Sequence, residues 1–421
     1  MIYKKIGEFI HLILNPLPRK QTVLEFIYTS GGSWFENDLD RGKKHLLEHC
    51  IVSRTKDLDF QGFTDYQFAQ NIAVNAYTGP LTMGLTFQGH RDDSVKMLDL
   101  MMEVAFNPTF DANILKQEKE IVLREISERR GEPSYRLHFS NMNKIYQKNS
   151  YETHEVLGES KLVEQTTLED FNQLMVENLT KSHLIINLAG GFDAVEIEFR
   201  INEILVANKT LEKINPSLKD NINYHPGTKF NEFSFLPIVD ELAHQHGEVS
   251  VFIPCKIDFE NRPILAVFEE LFLKYHGVLY DKLRNKLGLV YSMNSSFEIS
   301  SQMLNINFAT EIGNIEKCLE IVTETFCDFE KTFKPKKLEE LKNVLVKKME
   351  IGSDALTANL YFCQNSLMDY GIFEDYAGFL NRLENVNSED VKSLYNLITE
   401  GLATKKVVIV SKDKAIEELK L

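Results

Sequence analysis

The sequence predicts an α+β protein of two homologous domains, each a mainly antiparallel β-sheet packed with helices. Three observations predict it: a cap–helix–strand order that occurs twice, short β-type runs that open both halves, and an irregular polar stretch between them. At 421 residues the chain is also too long for one hydrophobic core.

In the first half, Thr167-Leu168-Glu169-Asp170 caps a helical pattern bearing Phe171, Leu174 and Met175, and a strand follows from His183 to Leu188. In the second half, Asn387-Ser388-Glu389-Asp390 caps Val391, Leu394 and Leu397, and the strand Val407 to Val410 follows. The openings correspond as well, with Val23 to Tyr28 in one half and Val249 to Ile253 in the other. Residues 208–233 mix Pro216, Pro226, Gly227, Asn and Lys without apolar periodicity and read as a linker. The expected domains are therefore 1–207 and 234–421, an internal duplication.

Hydrophobic residues at 43% and charged residues at 26% are ordinary for a globular protein. No segment approaches the run of about 20 apolar residues that spans a bilayer, so no membrane span is expected. The apolar stretch after Lys4 and Lys5 is short, interrupted by His11 and ended by Pro16, and reads as a first strand. Five scattered cysteines (Cys50, Cys255, Cys318, Cys327, Cys363), never in a C-x-x-C pair, argue against a disulfide framework and a thiolate zinc site, and favour a cytoplasmic location. A formal charge of −15 argues against nucleic acid, whose phosphates need clustered Lys and Arg.

His45-Leu46-Leu47-Glu48-His49 carries the chemistry. Positions i and i+4 share a helix face, so two imidazoles can reach one ion while Glu48 points at the same neighbourhood. A catalytic zinc wants three protein ligands and an open place for water, and a neighbouring carboxylate can take that water's proton. From these residues alone, two surface histidines beside a glutamate remain an alternative. The helical pattern from Asp111 to Arg130 carries Glu118 and Glu125 on one face, and read alone it is a solvated acidic helix.

The sequence resembles the inverzincin superfamily of metallopeptidases, which includes pitrilysin, mitochondrial processing peptidase and insulin-degrading enzyme. Beyond the His-x-x-Glu-His motif, Glu118 to Ile126 matches that family's E-x-x-x-V-x-x-E-I helix. Gly31-Gly32-Ser33-Trp34-Phe35-Glu36 resembles its Gly-Ser-x-x-Glu turn, and Asn75-Ala76-Tyr77-Thr78 its N-A-y-T strand. Leu157-Gly158 and Ala189-Gly190-Gly191-Phe192 are further matches. The resemblance implies that His45, His49 and Glu125 ligate Zn2+, that Glu118 helps fix ligand geometry, and that Glu48 is the catalytic carboxylate. It implies too that Asn75, Ala76 and Tyr77 hold a peptide substrate as an added strand at a sheet edge. Leu283 to Ser292 resembles the family's R-x-x-x-G-L-x-Y segment, which makes Arg284 and Tyr291 donors to the scissile carbonyl.

The second half has no H-x-x-E-H, so each chain offers one zinc motif and one Arg/Tyr element. In relatives of this length these meet across a dimer, so a homodimer, or a heterodimer with a related subunit, is the expected assembly around an enclosed chamber. Departures from the family pattern include Lys44 and Leu46 around the first His, Cys50 after the second, Asn71-Ile72-Ala73-Val74 before the N-A-y-T strand, and the segment from Asp57 to Gln70. His244 and His246 show no acidic or thiol partner in the sequence. The expected function is a zinc-dependent endopeptidase acting on peptides or unfolded segments. A non-catalytic scaffold or partner subunit, and a maturation protease dedicated to one peptide, are the alternatives.

Overall fold

Central strands of a sheet covered on both faces read as unbroken apolar runs, whereas edge strands alternate. Both kinds occur in the computed structural model, which describes residues 1–209, 221–327 and 329–420. In the first sheet, β2 (Ile10–Pro16) is buried at every residue but its last, and β6 (Leu184–Gly190) at every residue. The other members are β1 (Ile2–Ile6), β3 (Gln21–Tyr28), β4 (Ala73–Thr78) and β5 (Met83–His90), in the order β1-β2-β6-β3-β5-β4. Only β2 and β6 pair in parallel.

The second sheet runs β7 (Phe235–Val239), β11 (Lys406–Ser411), β8 (Gly247–Pro254), β10 (Met303–Thr310), β9 (Val290–Glu298), with β7 and β11 its one parallel pair. Without β1, the two sheets share one topology: the parallel pair, then three antiparallel neighbours ending on the strand that precedes its partner in the chain. This is the α+β duplication expected from the sequence. Both capping boxes also form, Thr167 with Asp170 and Asn387 with Asp390.

The chain divides into two compact units, residues 1–131, 154–224 and 355–375 in one, and 132–153, 225–354 and 376–421 in the other. Two stretches thus join the unit that their place in the chain would not assign them. The helix Ala358–Tyr370 packs Leu360 and Cys363 against Ile13, Ile27, Ile185 and Ala189, one face of the first sheet. Ile145 and Tyr146, at the end of the helix Pro133–Ile145, pack with Ile238, Phe252 and Val408 of the second. In each unit a segment from the other half of the chain contributes to covering one face of the sheet. Of the expected linker, residues 210–220 lie outside the described residues; Phe230 and Phe233 already pack in the second unit. Among the described residues, no helix is long and apolar enough to cross a membrane.

His11 illustrates what burial in the first sheet demands. It is 3% exposed, its Nδ1 lies 2.9 Å from the Tyr3 hydroxyl and its Nε2 lies 3.1 Å from His183 Nδ1. Burial, with help from His183 and Lys5, pulls its pKa down to about 3. The unfolded chain therefore takes up a proton near the ordinary His value of about 6.5 that the folded chain refuses. The sign follows: the stabilisation is complete above about pH 6.5 and is lost as pH falls toward 3, by up to about 1.4 kcal/mol per pH unit. Urea unfolding between about pH 7 and 5 should show that slope, and His11→Phe should flatten it. An unchanged slope in the variant would show that other groups set the acid limit.

Candidate metal centre

Helix α1 (Lys43–Ile51) has Gly42 at its N-cap, which has no side chain to satisfy the first amides. Glu36 supplies the missing acceptor, taking hydrogen bonds from Gly42 N at 3.0 Å and Lys44 N at 2.6 Å. Burial lifts its carboxyl to about 7, against the pull of those two amides. Lys44, where the family has a small residue, is buried and donates from Nζ to Ser30 O at 2.8 Å. The turn before Glu36 docks on the β4–β5 turn: Gly32 N, Ser33 N and Trp34 N donate to Leu81 O, Gly79 O and Pro80 O. A Cβ on Gly32 would stand 2.3–2.5 Å from that backbone, so glycine is required there.

The chain next forms α2 (Phe60–Gln70), capped by Asp59 and leading straight into β4. The divergent segment is thus mostly one helix. After α3 (Ser94–Phe106) comes α4 (Ala112–Gly131), whose Val122 and Ile126 are buried. That apolar anchor sets the rotation of α4, and Glu118 and Glu125, on one helix face, come to lie beside α1.

There, His45 Nε2 lies 3.6 Å and His49 Nε2 3.7 Å from the same oxygen of Glu125. Among the described residues these three form the group whose donor atoms all fall within 4.8 Å of one another. The separations are too long for hydrogen bonds and close to what an ion requires. Bonds of about 2.0–2.1 Å at tetrahedral angles put ligand atoms about 3.4 Å apart. Burial, reinforced by His49 and opposed by Glu125, holds the His45 pKa down at about 4, so its imidazole is neutral, as a ligand must be. The donor set of two nitrogens and one carboxylate suits zinc, and the residues present fit the group.

His49 turns its other nitrogen, Nδ1, toward Glu118 at 3.1 Å, the geometry that fixes a ring's tautomer and aim. His45 Nδ1 is buried and has no partner among the described residues. Glu118→Gln is therefore expected to weaken metal affinity by about 10–100-fold while leaving the fold intact. Competition with a chromogenic chelator measures this, and unchanged affinity would remove Glu118 from the site.

Glu48 is largely buried next to Thr78, the last residue of β4, and burial raises its carboxyl above the usual range. Among the described residues strand β4 pairs with β5 alone, so the other edge of this strand, which carries Asn75, Ala76 and Tyr77, is unpaired in the sheet. Cys50 is buried and its thiol pushed up to about 12, which makes it inert.

Arg284 and Tyr291 belong to the second unit. Arg284 lies in a π-helical stretch, Asp281–Lys286, and donates to Val290 O, next to Tyr291. Tyr291 is 50% exposed and its hydroxyl donates to Glu311, which raises its pKa. His246 meets its ring edge-on at 5.4 Å. His244, stacked on His246, does have an acidic neighbour: its Nε2 is 3.6 Å from Glu248. Sequence reading overlooked Glu248 because it sits beyond Gly247, past a change of chain direction.

Two family models match the chain, "Insulinase (Peptidase family M16)" over residues 13–157 and "Peptidase M16 inactive domain" over 165–345. The chain belongs to the M16 peptidase family. Among curated relatives, a Bacillus subtilis protein named uncharacterized zinc protease YmxG is 24% identical over 94% of this chain and 95% of its own. A Rickettsia bellii protein, also named uncharacterized zinc protease, is 19% identical over 96% of each. The β subunit of mitochondrial-processing peptidase from Saccharomyces cerevisiae is 23% identical over 45% of this chain and 41% of its own. Among solved structures, a Helicobacter pylori protease superposes with TM-score 0.73 at 14% identity, covering 97% of this chain and 99% of its own. A Pseudomonas fluorescens structure described as a peptidase M16 inactive domain gives TM-score 0.73 at 14% identity over 98% of each. Relatives named as zinc proteases, together with the peptidase family match, place zinc and peptide hydrolysis at the level of the family.

The sequence reading quoted Glu36 and Thr78 within family-like motifs but gave neither a role at the site, and it missed Glu311 as the partner of Tyr291. Which groups Glu36 and Thr78 meet, and the approach of Glu311 to Tyr291, depend on contacts that no local pattern records.

Proposed function

We propose that this chain is a zinc-dependent endopeptidase cleaving peptides or unfolded segments. The observation that carries the reading is the convergence of His45, His49 and Glu125 at 3.6–3.7 Å. Bound there, zinc would polarise the scissile carbonyl and bring the pKa of water down to about 7. Glu48, with a carboxyl raised by burial, takes the proton of the attacking water and returns it to the leaving amine. Asn75, Ala76 and Tyr77 hold the peptide through backbone hydrogen bonds along the edge of β4, which do not depend on its sequence. Arg284 and Tyr291 are the proposed donors to the carbonyl oxygen; Tyr291 gives up Glu311 to serve. The partner is a second copy or a related subunit, in keeping with a relative named as a subunit of mitochondrial-processing peptidase.

A second reading, a scaffold or partner subunit, draws on the description of the model matching 165–345 as an inactive domain. One experiment separates the two: zinc content per chain, with cleavage of a mixed peptide library read by mass spectrometry before and after chelation. Stoichiometric zinc and chelator-sensitive cleavage support the enzyme; zinc-free protein with no cleavage supports the scaffold.

A further inference from the structure

Tyr77 lies in the strand assigned above to the peptide, yet its side chain points away from the metal ligands. Successive residues of a strand face opposite ways. Thr78 meets α1, with Oγ1 3.5 Å from Lys44 O, so Tyr77 leaves on the other face of the sheet. On that face its hydroxyl donates to Glu25 Oε1 at 2.9 Å. Glu25 belongs to β3, and β5 runs between β3 and β4. The phenol must therefore cross a whole strand. It does so at Gly84, its direct partner on β5, where a Cβ would fall 2.4–2.5 Å from Cζ, Cε1 and Oη of Tyr77. The ring occupies the space that any other residue at position 84 would fill.

The far end of this bridge is anchored. Glu25 is 3% exposed, and its second oxygen accepts from Asn187 Nδ2 at 3.1 Å. The same amide nitrogen donates to Gln364 Oε1 at 2.7 Å, from the helix Ala358–Tyr370. Burying an acid among amides and a phenol is costly unless its oxygens are hydrogen-bonded. That cost secures something the sheet alone does not provide. An edge strand is held by one neighbour, so its register and flatness are the least constrained of any strand.

We propose that Glu25 is a positioning residue: by accepting the Tyr77 hydroxyl across Gly84, it holds edge strand β4 in place for the incoming peptide without touching the peptide. The proposal rests on β4 being the peptide-binding edge. A tether of this kind strengthens ground state and transition state alike, so its loss raises KM and spares kcat.

The test compares zinc-loaded wild type with Tyr77→Phe, Glu25→Leu, Glu25→Gln, Gly84→Ala and the Tyr77→Phe/Glu25→Leu double variant, on an internally quenched peptide cut in the library experiment. Tyr77→Phe and Glu25→Leu are each expected to raise KM by about 5–10-fold with kcat within about twofold. The double variant should match the worse single rather than the product of the two. Glu25→Gln keeps an acceptor for the hydroxyl and should recover most of the loss. Gly84→Ala removes neither polar group and displaces the ring, so it should reproduce Tyr77→Phe even if Glu25→Leu folds poorly. Multiplicative effects, or a fall in kcat at unchanged KM, overturn the tether while leaving the peptidase reading standing. A zinc-loaded wild type that neither binds nor cuts peptide overturns the peptidase reading, and the tether with it.

Discussion

Glu125→Ala is expected to abolish zinc retention and peptide cleavage together. His45 and His49 would remain as two imidazoles at i and i+4, a pair that binds zinc weakly without a third donor. Glu125 supplies the oxygen that both face, at 3.6 and 3.7 Å. Cleavage should fall by more than about 10³-fold, since the hydrolytic water loses its activation. The fold should survive, because α4 is anchored by Val122 and Ile126 and the Glu125 side chain is one-third exposed. Metal analysis after gel filtration, together with peptide turnover, measures both effects. Full zinc occupancy with normal turnover in the variant would end the metal-site proposal, since no other described carboxylate joins the two histidines in such a group.

Glu48→Gln separates chemistry from metal binding. Glu48 adjoins the ligands on α1 but is not among the three whose donors converge. The variant should therefore keep stoichiometric zinc and lose about 10²–10⁴-fold in kcat, the range that general acid–base catalysis supplies. Glutamine fills the same volume next to Thr78 and can still hydrogen-bond there, so a stability change would not account for the loss. Near-normal turnover at full zinc would assign the proton transfer to another group.

These expectations started from five residues, and it is clear why five sufficed. His45, Glu48 and His49 lie within two helical turns, so their common placement is a property of α-helix geometry. The capping boxes at Thr167 and Asn387 are legible for the same reason: each closes over three residues. Glu125 is different. Periodicity puts it on one face with Glu118, but only the resemblance to a family singled it out as a ligand, because the approach of α4 to α1 is long-range. Tyr77 shows the limit most clearly. Its strand, and even its place near a sheet edge, could be read locally, whereas the route of its side chain over Gly84 to Glu25 depends on the register of three strands.

By itself, then, the sequence determined the elements and their repetition: the apolar runs of central strands, the capped helices, the inverted metal motif and the absence of a second copy of it. Tertiary structure alone decided which segment covers which sheet. Residues 132–153 and 355–375 join the unit distant from them in the chain, and Gln364 is thereby placed on Asn187 of β6. The physical reason is that an apolar helix face specifies burial and not its partner. Which sheet it covers is settled by the sum of contacts over the whole fold, which no local pattern records.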